Sequence, residues 1–453
     1  MALCKNLTFE ECELAILRRS VDKITKEQGT ILMNEPETKK MLEIVVDFIV
    51  QNDLLLYGGT AINAMLPKGE QFYDYRYELP DYDAYSPNAM DDAVKLADIF
   101  FANGFKDVEA KSGVHHGTYK VFVNQHSIAD LTYIHPDLYV KLKRAVNVVD
   151  GLRYVPVNYL RMSCYLELSR PMGDVSRWEK VYKRLSKLNK YHPLVFKKCK
   201  QIPKRRKFTE KEILLFNTAL HTLASEDVIF IGAYANKLYT NHSDIPNVEN
   251  VSEFDVISSE PEKTCQVLMA ALTKAGFGPR IITHPEIGEL IHQHRSIMVD
   301  DQTVAIVFSP VGCHSYNVVV DKYHNSLRLG TIDTLFSYYL AFLYAERDYL
   351  DESRIECICS VLYKVQQDNR LTNKKPLQRF SIQCYGTQET LATMREKRNE
   401  MLQKLVPGTR LHSEWFLKYT PTGKKAKDKT KYKYKYKGQP SKQLKQKTRK
   451  STR

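Results

Sequence analysis

No uninterrupted apolar run in this 453-residue chain reaches the roughly eighteen residues needed to cross a bilayer as a helix. The first residues, Met1 to Glu13, carry acids early and contain no apolar h-region, so no secretory leader is expected. There is no C-x-x-C pair among the nine cysteines, and Cys357-x-Cys359 is the only close spacing. An odd, scattered set argues against a disulfide framework and against a structural zinc site, and a reducing, cytosol-like compartment is expected. Acids are almost missing from the last thirty residues. Lys424 to Arg453 hold fourteen Lys and Arg against Asp428 alone, which leaves +1 of the net +14 for residues 1–423. The body is therefore nearly neutral, and any nucleic-acid surface on it must be a local patch.

The chain contains itself twice, at an offset of about 174 residues. Met41–Met65 (MLEIVVDFIVQNDLLLYGGTAINAM) lies over Leu215–Tyr239 (LFNTALHTLASEDVIFIGAYANKLY). Both pass from a helical apolar period to a short apolar strand and then a glycine. Asp81–Phe105 matches Glu253–Phe277 without a gap, Asp130–Pro136 matches Val304–Pro310, and Gly151-Leu152-Arg153 matches Ser326-Leu327-Arg328. A single long period means two similar domains, not a solenoid. The copies part company at polar positions. Gly58-Gly59 becomes Gly232-Ala233, Asp81 becomes Glu253, Asp130 becomes Val304, and only Asp83 keeps an identical counterpart, Asp255. The first copy is expected to be catalytic and the second structural.

The chemistry follows from the first copy. Side chains two apart on a strand share a face, so Asp81 and Asp83 project together. Asp130, in the apolar stretch Ser127–Tyr133, can join them from a neighbouring strand. Three close carboxylates repel one another unless cations lie among them, and Mg²⁺ or Mn²⁺ would suit such oxygen donors. Two such ions can activate an attacking hydroxyl and steady a leaving pyrophosphate. Gly58 and Gly59 lack β-carbons, so a phosphate can approach their backbone; Thr60 adds a hydroxyl, and a helix starting near Ala61 would offer its positive end.

The strings YGGTAI, LPDYDAYSP and ADLTYIHP resemble the poly(A) polymerase catalytic subunits of large cytoplasmic DNA viruses, within the polymerase β-like nucleotidyltransferases. The resemblance covers most of residues 37–350. It implies an α+β fold of two tandem nucleotidyltransferase-like domains, each a mixed sheet packed with helices, the second degenerate. It also implies triphosphate binding by Gly58, Gly59 and Thr60, two Mg²⁺ or Mn²⁺ ions on Asp81, Asp83 and Asp130, and template-independent transfer of AMP from ATP to an mRNA 3′ end. The host cytoplasm, the viral factory and the virion are the implied locations. The stretch between Gly59 and Asp81 is longer than is usual in the wider superfamily, through a Tyr-rich insertion from Lys68 to Leu79.

The expected divisions are an N-terminal segment (1–36), a catalytic domain (37–192), a basic linker (193–208), a degenerate domain (209–410) and a disordered Lys/Tyr-rich tail (420–453). Arg177, Lys180, Arg184 and Lys187 recur on one helical face and are candidates for meeting the triphosphate or the RNA backbone. Trp178 and Tyr182 beside them read as core contacts. In the tail, Lys431, Lys433, Lys435 and Lys437 alternate with Tyr432, Tyr434 and Tyr436, a pattern suited to phosphate neutralisation and base stacking. His115-His116 has no ligand partner at metal spacing and reads as a loop. The RNA 3′ end is the expected partner, with a second copy or a processivity subunit as further candidates. Other readings stay open: a CCA-adding or other terminal transferase, because no residue reads out adenine, and a non-catalytic RNA-binding scaffold.

Overall fold

The computed structural model describes residues 4–194, 207–241, 253–288, 290–320, 326–345, 352–369 and 377–422. Most of the basic linker and all of the Lys/Tyr segment lie outside these residues.

Two eight-stranded mixed sheets dominate. The first is built from β1 (Leu55–Leu56), β2 (Tyr82–Ser86), β3 (Val108–Ser112), β4 (Thr118–Val123), β5 (His126–Tyr133), β6 (Asn147–Val149) and β7 (Leu152–Tyr154). The second is built from β8 (Val228–Ile231), β9 (Phe254–Ser258), β10 (Pro279–His284), β11 (His294–Val299), β12 (Gln302–Phe308), β13 (His314–Val320) and β14 (Ser326–Gly330). Two short late strands, β15 (Cys384–Tyr385) and β16 (Lys418–Tyr419), each add to an edge. The orders are β16-β3-β4-β5-β2-β1-β7-β6 and β10-β11-β12-β9-β8-β14-β13-β15. Without the added edges they are the same order, so the duplication read from the sequence is a duplicated sheet.

Local chemistry explains the elements that carry the first sheet. Helix Pro36–Gln51 starts on a proline that needs no amide partner there. It buries Met41, Val45, Phe48 and Ile49 along one stripe. Helix Ala89–Ala102 does the same with Ala93, Leu96, Ala97 and Phe100, covering β3, β4 and β5. In the second unit, Thr209 and Glu212 form a reciprocal capping box that starts helix Glu210–Ser225.

The two units meet through equivalent elements. Helix Val157–Leu168, which follows β7, packs on helix Ile332–Phe342, which follows β14. The Tyr165 and Phe336 rings stack at 4.5 Å, and the Tyr159 and Tyr344 rings meet edge-on at 5.4 Å. The Ser315 amide donates to the Ser169 carbonyl at 2.8 Å.

Three expectations change. Residues beyond 390 do not stay with the second unit. Helices Leu391–Lys404 and Arg410–Phe416 lead into β16, which pairs antiparallel with β3 of the first sheet. Cysteines come together after all, Cys4 with Cys12 and Cys313 with Cys384. The second pair is 71 residues apart and is brought together by the pairing of β13 with β15, which no spacing rule reveals. The third correction concerns the repeat. On β5, Asp130 lies opposite Asp83, whereas on β12 the residue opposite Asp255 is Ile306. Both strands bulge at the matching place, so Ile128 corresponds to Val304 and Asp130 to Ile306. The gapless alignment that put Val304 there is two residues out of register. The second copy still lacks the carboxylate.

Candidate active site

Chain direction reverses sharply after β1. Gly58 adopts φ +71°, a left-handed conformation that side-chain-bearing residues rarely take. A methyl group there would fall inside the van der Waals envelope of the Asp83 carboxylate. Gly58 thus lets an acid from β2 close on the turn. The turn opens the seven-residue helix Gly58–Ala64, three residues earlier than the sequence suggested.

Thr60 is not placed to meet a ligand. Its side chain is buried, and its hydroxyl donates to the Asp81 carbonyl at 2.7 Å. It positions the start of β2. Gly59 faces a crowded space, where a methyl would lie 2.7 Å from the Tyr73 hydroxyl oxygen and 3.0 Å from Arg184 Nη2.

Asp81 is exposed at the entrance to β2, and Asp83, half-buried, lies two residues on along the same face. Asp130 is opposite Asp83 on the parallel neighbour β5. Burial, then the negative charges of Asp81 and Asp130, push the Asp83 carboxyl up to about 7. Burial and Asp130 raise Asp81 as well. The three acids therefore act on one another. As they stand they do not form a closed ligand set: among the described residues, no group of three or more His, Cys, Asp or Glu is gathered closely enough to hold a metal ion. The physical reason is on β4. Lys120 sits in register with Asp130 and ion-pairs with its carboxylate, so an ammonium neutralises one acid. Ser127 also approaches Asp130, at 3.4 Å. The donors fit Mg²⁺ or Mn²⁺ chemically, being hard oxygens with unbalanced charge.

Helix Trp178–Tyr191 closes the other side. Lys180 and Arg184 are near enough to offset the charges of Asp81 and Asp83 respectively. A cleft of about 500 Å³ is lined by Phe72 and Tyr73 from the insertion, by Lys180, Lys183, Arg184 and Lys187 from the helix, and by Ser176 and Glu179. Arg184 donates to the Tyr73 hydroxyl at 2.7 Å and lies over the Phe72 ring at 4.8 Å. Lys187 donates to Glu70 Oε2 at 3.0 Å, and Tyr191 to Glu70 Oε1 at 2.5 Å. Together with Lys190, they hold the Glu70 carboxyl down at about 2. This tie fixes the insertion whose path the sequence left open. Arg177 departs from the expected stripe. It precedes the helix, pairs with Glu167 at 3.1 Å and does not line the cleft. Tyr182 departs too: it is exposed and edge-on to Phe380 at 6.0 Å, while Trp178 is half-buried and donates to the Glu167 carbonyl. His116 lies against Trp415, with ring centroids 4.2 Å apart.

The second unit keeps the glycine and loses the third acid. Gly232 repeats φ +71° against Asp255. Arg354 ion-pairs with Glu253 at 2.6 Å, so a guanidinium supplies the positive charge there. Lys120, Tyr73 and Arg354 were all missed from the sequence; strand pairing and tertiary packing bring them in, and no local motif marks them.

A glycine turn against paired strand carboxylates, in a duplicated mixed sheet, is the arrangement that the fold presents. Comparison with known proteins finds likenesses in sequence and in fold. Residues 43–174 match the family model of the poly(A) polymerase catalytic subunit, and the resemblance read from the sequence holds. The chain is 29% identical over 215 residues to a putative poly(A) polymerase catalytic subunit of Acanthamoeba polyphaga mimivirus, covering 46% of this chain and 36% of that protein. It is 31% identical over 204 residues to the putative poly(A) polymerase catalytic subunit of African swine fever virus (strain Badajoz 1971 Vero-adapted), covering 44% and 42%. The chain thus spans less than half the length of these curated relatives. Its fold is that of the crystal structure of the Megavirus polyadenylate synthase, with TM-score 0.73 and 19% identity, over 89% of this chain and 84% of that one.

Proposed function

We propose that this chain is a template-independent poly(A) polymerase, transferring AMP from ATP to an RNA 3′-hydroxyl with release of pyrophosphate. The observation that carries the reading is the Asp81–Asp83–Asp130 cluster, in which burial, and then the charges of Asp81 and Asp130, push Asp83 up to about 7 and call for added positive charge. Asp81, Asp83 and Asp130 would hold Mg²⁺ or Mn²⁺, which when bound would neutralise the acids and polarise the phosphates. Lys120, which pairs with Asp130 in the structure, would be the nearest strand-borne cation for a triphosphate. Lys180 and Arg184 meet phosphate oxygens from the opposite wall, with Arg184 already oriented by Tyr73. The cleft beside them takes the nucleotide. Gly58 acts by keeping Asp83 against the turn.

The test is extension of an oligoadenylate primer with ATP and Mg²⁺ or Mn²⁺. Asp83→Ala is expected to lose at least about a thousandfold of activity while remaining folded by circular dichroism. Undiminished extension by that variant defeats the assignment. Each NTP supplied alone separates poly(A) synthesis from CCA addition. Salt-sensitive RNA binding without incorporation under either metal would favour a scaffold.

A further inference from the structure

The Tyr-rich insertion supplies one wall of the cleft through Phe72 and Tyr73, yet residues 71–80 form neither helix nor strand. What fixes that wall is a single side chain. The amides of Phe72 and Tyr73 both donate to Asn63 Oδ1, at 2.7 and 3.0 Å. Asn63 is 1% exposed and belongs to helix Gly58–Ala64, the helix that opens at the turn against Asp83. One rigid element thus sets both the turn and the wall. A side-chain amide oxygen has two lone pairs for two N–H donors, and it adds no charge beside the three acids. Counting five residues on from Gly58 gives Asn63, and from Gly232 gives Lys237, whose ammonium has no acceptor. The second copy, which lacks the third acid, lacks this acceptor too. Glu70 provides another hold on the insertion: Lys187 Nζ donates to its carbonyl at 2.6 Å and to its carboxylate at 3.0 Å.

We propose that Asn63, backed by Glu70, is a positioning residue for nucleotide binding. It fixes Phe72 and Tyr73 and, because Arg184 donates to the Tyr73 hydroxyl, it fixes Arg184 as well. The proposal rests on the cleft being the nucleotide site. Asn63 is not among the residues that line that cleft, so it acts through those that do. Removing its oxygen leaves two amides without an acceptor, and the segment moves outward to reach water, drawing Tyr73 away from Arg184.

Hydrogen exchange of the full chain tests the hold, and primer extension tests what the hold is for. In Asn63→Ala the Phe72 and Tyr73 amides are expected to exchange at least about tenfold faster than in wild type, with the strands of the first sheet unchanged. ATP with Mg²⁺ is expected to slow exchange between Lys68 and Leu79 in wild type, and much less in the variant. The ATP KM is expected to rise about tenfold, with kcat within about threefold and the primer KM unchanged. A residue that only stabilises the fold gives the other pattern, a smaller active fraction that lowers kcat at constant KM. Glu70 is half-exposed, so Glu70→Ala keeps the fold even where Asn63→Ala does not, and it is expected to speed exchange of the insertion and raise the ATP KM about threefold. Unchanged exchange at Phe72 and Tyr73 in Asn63→Ala, or faster exchange with an unchanged ATP KM, overturns the inference. So does a Glu70→Ala chain that matches wild type in both measurements. A wild type in which ATP slows exchange but no primer is extended defeats poly(A) synthesis instead and supports the positioning role.

Discussion

Gly58 and Gly232 provide an internal control, because the duplication supplies the same backbone strain in a unit that keeps the three acids and in one that does not. Both have φ +71°, and both abut the carboxylate of the one aspartate common to the two copies. Placing alanine at either site forces a β-carbon into the left-handed region, at about 1–2 kcal/mol, and makes the acid side chain move; a total of about 1–3 kcal/mol is expected. Chemical denaturation of Gly58→Ala and Gly232→Ala should therefore give similar losses. Primer extension should separate them. Displacing Asp83 by even about 1 Å costs on the order of a hundredfold in rate, whereas moving Asp255 leaves extension near wild type. Gly59→Ala gives a third arm. Its backbone is not left-handed, and its new methyl meets only the ends of Tyr73 and Arg184. Stability should barely change, while the ATP KM rises. Gly58→Ala that stays folded and extends a primer within about threefold of wild type would refute the assignment of Gly58 as the residue that lets Asp83 close on the turn.

Arg184→Ala should raise the ATP KM by about tenfold with a smaller effect on kcat, and Arg184→Lys should not rescue it, because an ammonium cannot both reach Tyr73 and cover Phe72. In the second unit, burial and the charge of Glu253 raise the Asp255 carboxyl, against the opposing pull of Arg354. A carboxyl raised in the folded state favours folding most below its unfolded value near 4, and that contribution is lost as pH climbs through the raised value. Asp255→Asn, always neutral, should therefore gain stability relative to wild type as pH rises from about 5 to 9, measured by urea denaturation. Ending the chain after Phe416 removes β16, the donor bond from the Ser112 amide to Leu417, and the 2.5 Å bond from Tyr419 to Asp98. The bared β3 edge should appear as a lower onset of light scattering on heating.

Much of the site was legible because its parts are local. A glycine pair after an apolar run, and two acids one residue apart on a strand, need no tertiary knowledge. The duplication was legible for a similar reason, since apolar periods survive where polar residues drift. What escaped notice depends on pairing across strands. Lys120 is an unremarkable lysine in Thr118–Val123 until β4 is set beside β5, when it meets Asp130. The bulges in β5 and β12 are invisible to a gapless comparison, and Val304 was matched in place of Ile306 for that reason. Thr60 read as a ligand contact because its hydroxyl follows two glycines, whereas the fold turns it inward to Asp81. The insertion read as an uncertain path because its anchor, Glu70 with Lys187 and Tyr191, joins residues more than a hundred positions apart.

The return of β16 also decides where the final stretch of chain departs. After Thr420 the polypeptide leaves from the outer margin of the first sheet, three strand spacings from the β5 aspartate, about 14 Å at 4.8 Å per spacing. The lysines and tyrosines that follow are thus joined by sequence to the half that keeps its acids.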